Sequence, residues 1–205
     1  MGSDSITEAC GRLDSLDSLL ITSDIGRIHD SIVQVSQNLL SKGWYGIYLS
    51  LNRPHRTIQA LLEDRGLDVE RMYFIDCVTA LAREAYSPAG IGPMEQGLAA
   101  AAPAAPTTTL DRVIYASGPY DLSDEGTVPA AVNRFVNSIP HEKFIIVDTM
   151  RTLFIYNTPD IASSFLHNLL ELTNTHDLKV VALTRKGDEV FQGLVSKAFD
   201  EILEI

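Results

Sequence analysis

The segment Leu19-Leu20-Ile21-Thr22-Ser23-Asp24-Ile25-Gly26-Arg27-Ile28-His29 joins a short apolar run to a long helical pattern. After it, apolar residues recur at helical spacing, at Ile28, Ile32, Val35, Leu39 and Leu40. This pattern predicts a strand, a turn and an amphipathic helix from about Gly26 to Lys42, which Gly43 ends. In α/β proteins, a helix that begins just after a strand commonly binds phosphate at its N-terminus.

The glycine-rich loop that would bind this phosphate is absent. In the nearest match to the motif G-x-x-x-x-G-K-[ST], Ile21 replaces the first glycine and Arg27 replaces the lysine. Ile28 replaces the hydroxyl residue that would hold magnesium, so that only Gly26 remains. We therefore expect a chain that does not work as a nucleotidase.

Asp24 is a further reason to expect that this turn does not bind phosphate. If its carboxylate caps the helix that begins near Gly26, it takes the backbone N–H donors that would otherwise bind phosphate. A triphosphate would then meet an occupied and negatively charged site. We expect Asp24 to be an ordinary helix cap.

Composition limits the possible partners and compartment. The 205 residues fit one domain, and the net charge of −11 opposes binding to nucleic acid or to an anionic membrane. No apolar run approaches the roughly 18 residues of a membrane span, and the start of the chain, through Cys10, is polar and lacks a secretory signal. Cys10 and Cys77 are typical of reduced thiols, so we expect a cytoplasmic protein.

Short apolar runs alternate with helical patterns along the chain, which predicts an α/β fold with three layers and a mostly parallel sheet of about seven strands. The expected strands are Asp17 to Thr22, Gly46 to Leu51, Met72 to Asp76, Val113 to Ser117, Lys143 to Asp148, Lys179 to Thr184 and Glu201 to Ile205.

Three further helices are expected between these strands. One begins near Asn52 or Arg53, with Pro54 in its first turn, and ends at Gly66. The others open at Pro129, after Thr127 or Asp124, and at Pro159 with Asp160, the last running to about His176. Residues 86–109, rich in alanine and proline, predict a disordered insertion within the one domain.

Several segments together resemble the RecA superfamily. They are Trp44-Tyr45-Gly46-Ile47-Tyr48-Leu49-Ser50-Leu51-Asn52-Arg53-Pro54, Met72-Tyr73-Phe74-Ile75-Asp76-Cys77, Phe144-Ile145-Ile146-Val147-Asp148-Thr149 and Leu153-Phe154-Ile155-Tyr156-Asn157. The chain is most similar to archaeal relatives of the circadian-clock ATPase KaiC that have a degenerate phosphate loop. The resemblance implies a RecA/P-loop NTPase-like fold and side-by-side association into homo-oligomers.

The resemblance also places two catalytic positions. Asp148 stands where the family has the acid that orients magnesium through water. The alternative interpretation is an acid at a strand end whose carboxylate accepts hydrogen bonds from loop amides. Asn52 and its neighbours stand where KaiC-like enzymes commonly have a glutamate base, and asparagine cannot accept a proton from water near neutral pH.

Other interpretations of single residues are weaker. Two acids, a threonine and a lysine at strand ends resemble the phosphoacceptor site of a receiver domain; these residues are Asp24, Asp76, Thr184 and Lys186. Neither Asp24 nor Asp76 has an adjacent acid, however, which counts against this interpretation. The five histidines show no zinc-binding spacing, so no metal site is expected. Trp44, Tyr45 and Tyr48 are expected to pack in the fold rather than to stack on bases.

Two functions follow as hypotheses. The first is a non-catalytic RecA/KaiC-like domain without a cofactor or catalytic residues, which acts through an unknown protein partner in archaeal signalling or regulation. The alternative is a divergent magnesium-dependent ATPase or nucleotide-binding protein. It would bind ATP and magnesium through Asp148, Arg27 and Gly26, because arginine can hold a phosphate in place of lysine.

Overall fold

A seven-stranded sheet lies at the centre of the computed structural model, which describes residues 2–80, 111–123, 125–187, 193 and 195–205. In chain order the strands are β1 (Ser18–Ser23), β2 (Tyr45–Ser50), β3 (Met72–Asp76), β4 (Val113–Tyr115), β5 (Lys143–Asp148), β6 (Leu178–Arg185) and β7 (Glu201–Glu204). Across the sheet their order is β4-β3-β2-β5-β6-β1-β7, and every neighbouring pair is parallel.

Six helices flank this sheet within the described residues. They are α1 (Gly2–Arg12), α2 (Ile28–Ser41), α3 (His55–Glu63), α4 (Thr127–Ser138), α5 (Met150–Tyr156) and α6 (Pro159–Thr175). The expected three-layer α/β class is confirmed, and the arrangement is consistent with a RecA/P-loop-like fold. None of the described helices is long and apolar enough to cross a membrane.

Two hydrophobic clusters lie on opposite faces of the sheet, because successive side chains of a strand point to opposite faces. On the α1–α3 face, alternate strand residues such as Ile21, Tyr48 and Ile146 pack against the first three helices. On the α4–α6 face, the residues between them, such as Leu20 and Val147, pack against the last three. The central strands are therefore apolar at nearly every position, as strands covered on both faces should be.

The predicted strands agree with the observed ones to within two residues, and Met72–Asp76 and Lys143–Asp148 have the predicted bounds. No helix was predicted at the polar start of the chain, where the structure has α1. Its buried residues Ile6, Ala9 and Cys10, with Leu13 directly after the helix, recur at helical spacing and join the cluster on the α1–α3 face. Cys10 and Cys77 are both free thiols and are buried.

The predicted helix ends are confirmed in part. Gly43 and Gly66 both have positive φ, of 91° and 74°, as glycines beyond a helix end often do. Neither Asn52 nor Arg53 caps α3, because this helix begins at His55, directly after Pro54. Helix α4 begins at Thr127, and the whole Ala/Pro-rich segment 86–109 lies outside the described residues, as does all of 81–110.

A side chain would not fit at Gly46, the glycine of β2. A Cβ atom there would lie 2.7 Å from the ring of Phe144 and closer still to the sulfur of Met72, both fully buried. We expect Gly46→Ala to lower the free energy of unfolding by about 1–3 kcal/mol through overpacking. Urea denaturation measures this, with Gly26→Ala as the matched control, since a Cβ on Gly26 meets nothing within 4 Å. Equal stability of the two variants would contradict the prediction.

Candidate functional site

Buried polar side chains gather at one edge of the sheet. Because all strands are parallel, their carboxyl ends form a single edge, which is where open α/β sheets usually bind ligands. The buried polar residues at or next to these strand ends are Thr22, Ser23, Ser50, Asp76, Asp148, Thr149 and Thr184. This carboxyl edge is therefore the candidate site.

Asp148 lies at the centre of this edge and is fully buried. Its Oδ2 accepts a hydrogen bond of 2.7 Å from the hydroxyl of Tyr48, while its Oδ1 has no hydrogen-bond partner among the described residues. Burial, followed by the charge of Asp148 and this hydrogen bond, raises the pKa of Tyr48 well above its usual value. The phenol therefore keeps its proton at physiological pH and donates a hydrogen bond to Asp148.

Arg53 brings a positive charge to the same place. Its Nη1 is buried and has no hydrogen-bond partner within the described chain, and its charge acts on Tyr48 against that of Asp148 by lowering the phenol pKa. The described structure contains no ion pair between Arg53 and Asp148. One buried carboxylate oxygen and one buried guanidinium nitrogen thus keep unused hydrogen-bonding capacity.

Asn52 takes part in a hydrogen-bond network with the start of α5. Its amide nitrogen donates to Thr149 Oγ1 at 3.2 Å, and its amide oxygen accepts from the hydroxyl of Thr152. The peptide bond between Asp148 and Thr149 is cis. Asn52 therefore joins β2 to the residues after β5, and its side chain has neither the charge nor the basicity of a catalytic glutamate.

Asp76, at the end of β3, has its hydrogen-bonding capacity filled. Its two oxygens accept from His55 N (2.9 Å), His55 Nδ1 (2.7 Å), Thr79 Oγ1 (2.7 Å), Thr79 N (2.8 Å) and Val78 N (2.9 Å). Burial alone would raise the pKa of Asp76, but the hydrogen bonds from His55 and Thr79 outweigh it and leave the pKa below its usual value. Asp76 thus supplies the negative charge at the N-terminus of α3 that a capping side chain would otherwise provide.

The prediction that the Asp24 side chain caps a helix is wrong. A 3₁₀ turn, Ile25–Arg27, separates Asp24 from α2, and the Asp24 side chain makes no capping hydrogen bond. Within the described residues, only its backbone carbonyl accepts hydrogen bonds, from Arg27 N at 2.9 Å and from Ser23 Oγ at 3.4 Å. The carboxylate is exposed and does not fill the helix end.

Gly26 and Arg27 lie in this exposed turn, whereas Ile28 is buried in the cluster on the α1–α3 face. The open space around Gly26 means that its missing Cβ does not serve a close approach to neighbouring atoms in the fold. Strand β6 lies between β1, which leads into this turn, and β5, which ends at Asp148. Within the described residues, no hydrogen bond or ion pair joins the Asp148 side chain to Gly26 or Arg27.

The residues present do not fit a bound magnesium nucleotide well. Asp148 offers one unpaired oxygen, but the hydroxyl position is an isoleucine in the core and Arg27 is at the surface. No group of three or more histidine, cysteine, aspartate or glutamate side chains in the described residues could hold a metal ion. The receiver-like constellation is not assembled either, because three strands separate Asp24, after β1, from Asp76, at the end of β3.

Three side chains at this edge had no functional role in the sequence analysis: Tyr48, Arg53 and His55. Tyr48 was correctly expected to pack, since it is fully buried, but its bond to Asp148 was not foreseen. A strand pattern with polar groups at Tyr48 and Ser50, on the same face of β2, was the available signal. It could not name the partner, because β2 and β5 are far apart in the chain.

Comparison with known proteins gives a fold and little more. No family model matches the chain, and no curated protein matches it. Among solved structures it is similar to the crystal structure of the uncharacterised protein PH0321 from Pyrococcus horikoshii, which was determined in complex with an unknown peptide. The two are 16% identical, the match covers 92% of this chain and 76% of the other, and the TM-score is 0.59. At this identity, the likeness shows a shared α/β fold and no shared activity.

Proposed function

We propose that this chain is a non-catalytic RecA/KaiC-like domain that acts by binding another protein, in a signalling or regulatory role. The observation that carries the proposal is the hydrogen bond between Tyr48 and Asp148. In a working site of this type, the acid after the central strand would be available to a hydrated metal ion. Here one of its oxygens is bound by a phenol inside the core.

The neighbouring positions support a non-catalytic role. Asn52 is part of a structural network with Thr149 and Thr152, and it cannot act as a base. The turn that would cradle phosphates is exposed and contains a single glycine, Gly26. The similar protein PH0321 was crystallised with an unknown peptide, which favours a peptide or protein as the partner of this chain. The resemblance to the RecA superfamily also implies side-by-side association of copies, which is a separate proposal.

One observation favours the alternative, a divergent magnesium-dependent ATPase that uses Asp148 and Arg27. Asp148 Oδ1 is buried and has no hydrogen-bond partner among the described residues, so it could bind a metal-held water molecule. This oxygen is the only unused carboxylate oxygen at the buried part of the edge that the structure describes.

Calorimetric titration with ATP and magnesium, together with a phosphate-release assay, tests the proposal. We expect neither binding heat at micromolar to millimolar ATP nor phosphate release above the blank. Micromolar binding with turnover that Asp148→Asn abolishes would establish the ATPase instead. Asp30→Asn is the control for that variant, because Asp30 is an exposed aspartate of α2 whose carboxylate pairs with Arg65.

A further inference from the structure

Four large apolar side chains are exposed where α5 meets α6. Ile155 and Tyr156 end α5 and are 64% and 56% exposed, and Ile161 in the first turn of α6 is 41% exposed. Tyr120, in the turn after β4, is 46% exposed. We call these four residues the α5–α6 patch. Large apolar side chains exposed together commonly mark an interaction site.

Hydrogen bonds fix the parts of this patch to one another. Asn157, between the two helices, donates from Nδ2 to Leu153 O at 2.7 Å and to Pro119 O at 2.8 Å. The second bond holds the turn that carries Tyr120 against the junction of α5 and α6. The Tyr120 hydroxyl in turn donates to Ser117 O at 3.1 Å. A surface that is ordered before binding loses little conformational entropy when a partner docks.

The absence of a side chain at Gly118 also helps to place Tyr120. A Cβ atom at Gly118 would lie 2.9 Å from Cδ1 of the Tyr120 ring, so the ring lies directly over this glycine. The conformation of the turn therefore determines where the Tyr120 ring lies at the surface.

The charge around the patch indicates the chemistry of the partner. Asp160, next to Ile161, is exposed, and the chain has 27 acidic against 16 basic residues. Arg151, one turn before Ile155, already has an interaction within the chain. The exposed faces of Tyr120 and Tyr156 attract lysine and arginine through cation–π interactions. Two copies of the chain, each with a charge of −11, would repel one another at this surface.

We propose that the α5–α6 patch is the docking surface for a partner segment whose apolar side chains are flanked by lysine or arginine. This inference rests on the proposed function and assigns it a place in the fold. The partner's apolar side chains cover Ile155 and Ile161, and its basic side chains lie against the tyrosine rings and Asp160.

Selection from a phage-displayed library of random 12-residue peptides tests the proposal on the full chain. We expect selected peptides to combine apolar residues with an excess of lysine and arginine, and to bind more weakly as salt rises. A synthetic selected peptide is then titrated against single variants. Ile155→Ser and Tyr156→Ser should each weaken binding by about tenfold or more. Ile25→Ser is the matched control, since Ile25 is 63% exposed but lies in the turn before α2, and it should change binding by less than about twofold.

Each other outcome has a distinct meaning. Basic peptides whose affinity Ile155→Ser and Tyr156→Ser leave unchanged would overturn the patch and leave the proposed protein-binding function standing. Acidic or uncharged selected peptides would overturn the assigned partner chemistry. If the chain sediments as a dimer and Ile155→Ser dissociates that dimer, the patch binds a second copy of the chain and the proposal is overturned. Failure to select any peptide, together with ATP turnover, would overturn the proposed function itself.

Discussion

Asp76→Ala is expected to lower the free energy of unfolding by about 3–5 kcal/mol, because it leaves several buried donors without an acceptor. The carboxylate accepts five hydrogen bonds, two of them from His55, and it is fully buried. Alanine removes every acceptor at once, so α3, β3 and residues 77–79 lose their common connection. Urea denaturation of wild type and variant at neutral pH measures the difference.

The pH dependence of stability tests the contribution of the Asp76 carboxylate independently. The folded-state pKa of Asp76 is lowered, so the ionised carboxylate stabilises the fold at pH values above its unfolded pKa of about 3.9. That contribution is lost as pH falls through the lower, folded-state pKa. Wild-type stability should therefore decline more steeply than that of Asp76→Ala as the pH falls below about 4.

Two variants make the Asp76 result interpretable. Asp30→Ala removes an exposed carboxylate that lies 3.4 Å from Arg65, and it should change stability by no more than about 0.5 kcal/mol. Asp76→Asn keeps the shape and one acceptor oxygen and should fall between wild type and alanine. A loss below about 1 kcal/mol for Asp76→Ala would show that the donors find water instead.

The sequence predicted the sheet well for a physical reason. Strands that are covered on both faces must be apolar along their whole length, so Phe144-Ile145-Ile146-Val147 and Val180-Val181-Ala182-Leu183 were easy to identify. Helix α1 was not predicted because polar residues outnumber apolar ones in it, so that only the spacing of Ile6, Ala9, Cys10 and Leu13 indicates a helix. That spacing fits one face of a helix, and the residues are buried.

The site was harder to predict, because its residues meet only through the order of the strands. Tyr48 and Asp148 are 100 positions apart and touch because β2 pairs with β5, with Ser50 opposite Asp148. Nothing in the residues of either strand specifies this neighbour. The error at Asp24 has a local cause instead: an intervening 3₁₀ turn, Ile25–Arg27, moves the start of α2 to Ile28. Helix ends of this kind vary by a few residues with the local turn.

Tyr48→Phe is expected to lower the free energy of unfolding by about 2–3 kcal/mol. It removes only the hydroxyl, yet the buried carboxylate of Asp148 then has no hydrogen-bond donor among the described residues, since Oδ1 already lacks one. Tyr45→Phe is the matched control: Tyr45 is half-buried on the same strand, so the same change should cost less than about 0.5 kcal/mol. Chemical denaturation of the two variants gives the comparison.

A double-mutant cycle with Asp148→Asn shows whether the loss comes from the charge on Asp148. An amide at this position is neutral, so removing the Tyr48 hydroxyl beside it leaves a polar group unpaired but strands no ionised one. The loss caused by Tyr48→Phe should therefore be smaller, by about 1 kcal/mol or more, in the Asp148→Asn background. Equal losses in both backgrounds would mean that the hydroxyl contributes through packing alone. Tyr48 would then not restrain Asp148, and the main support for a non-catalytic site would be gone.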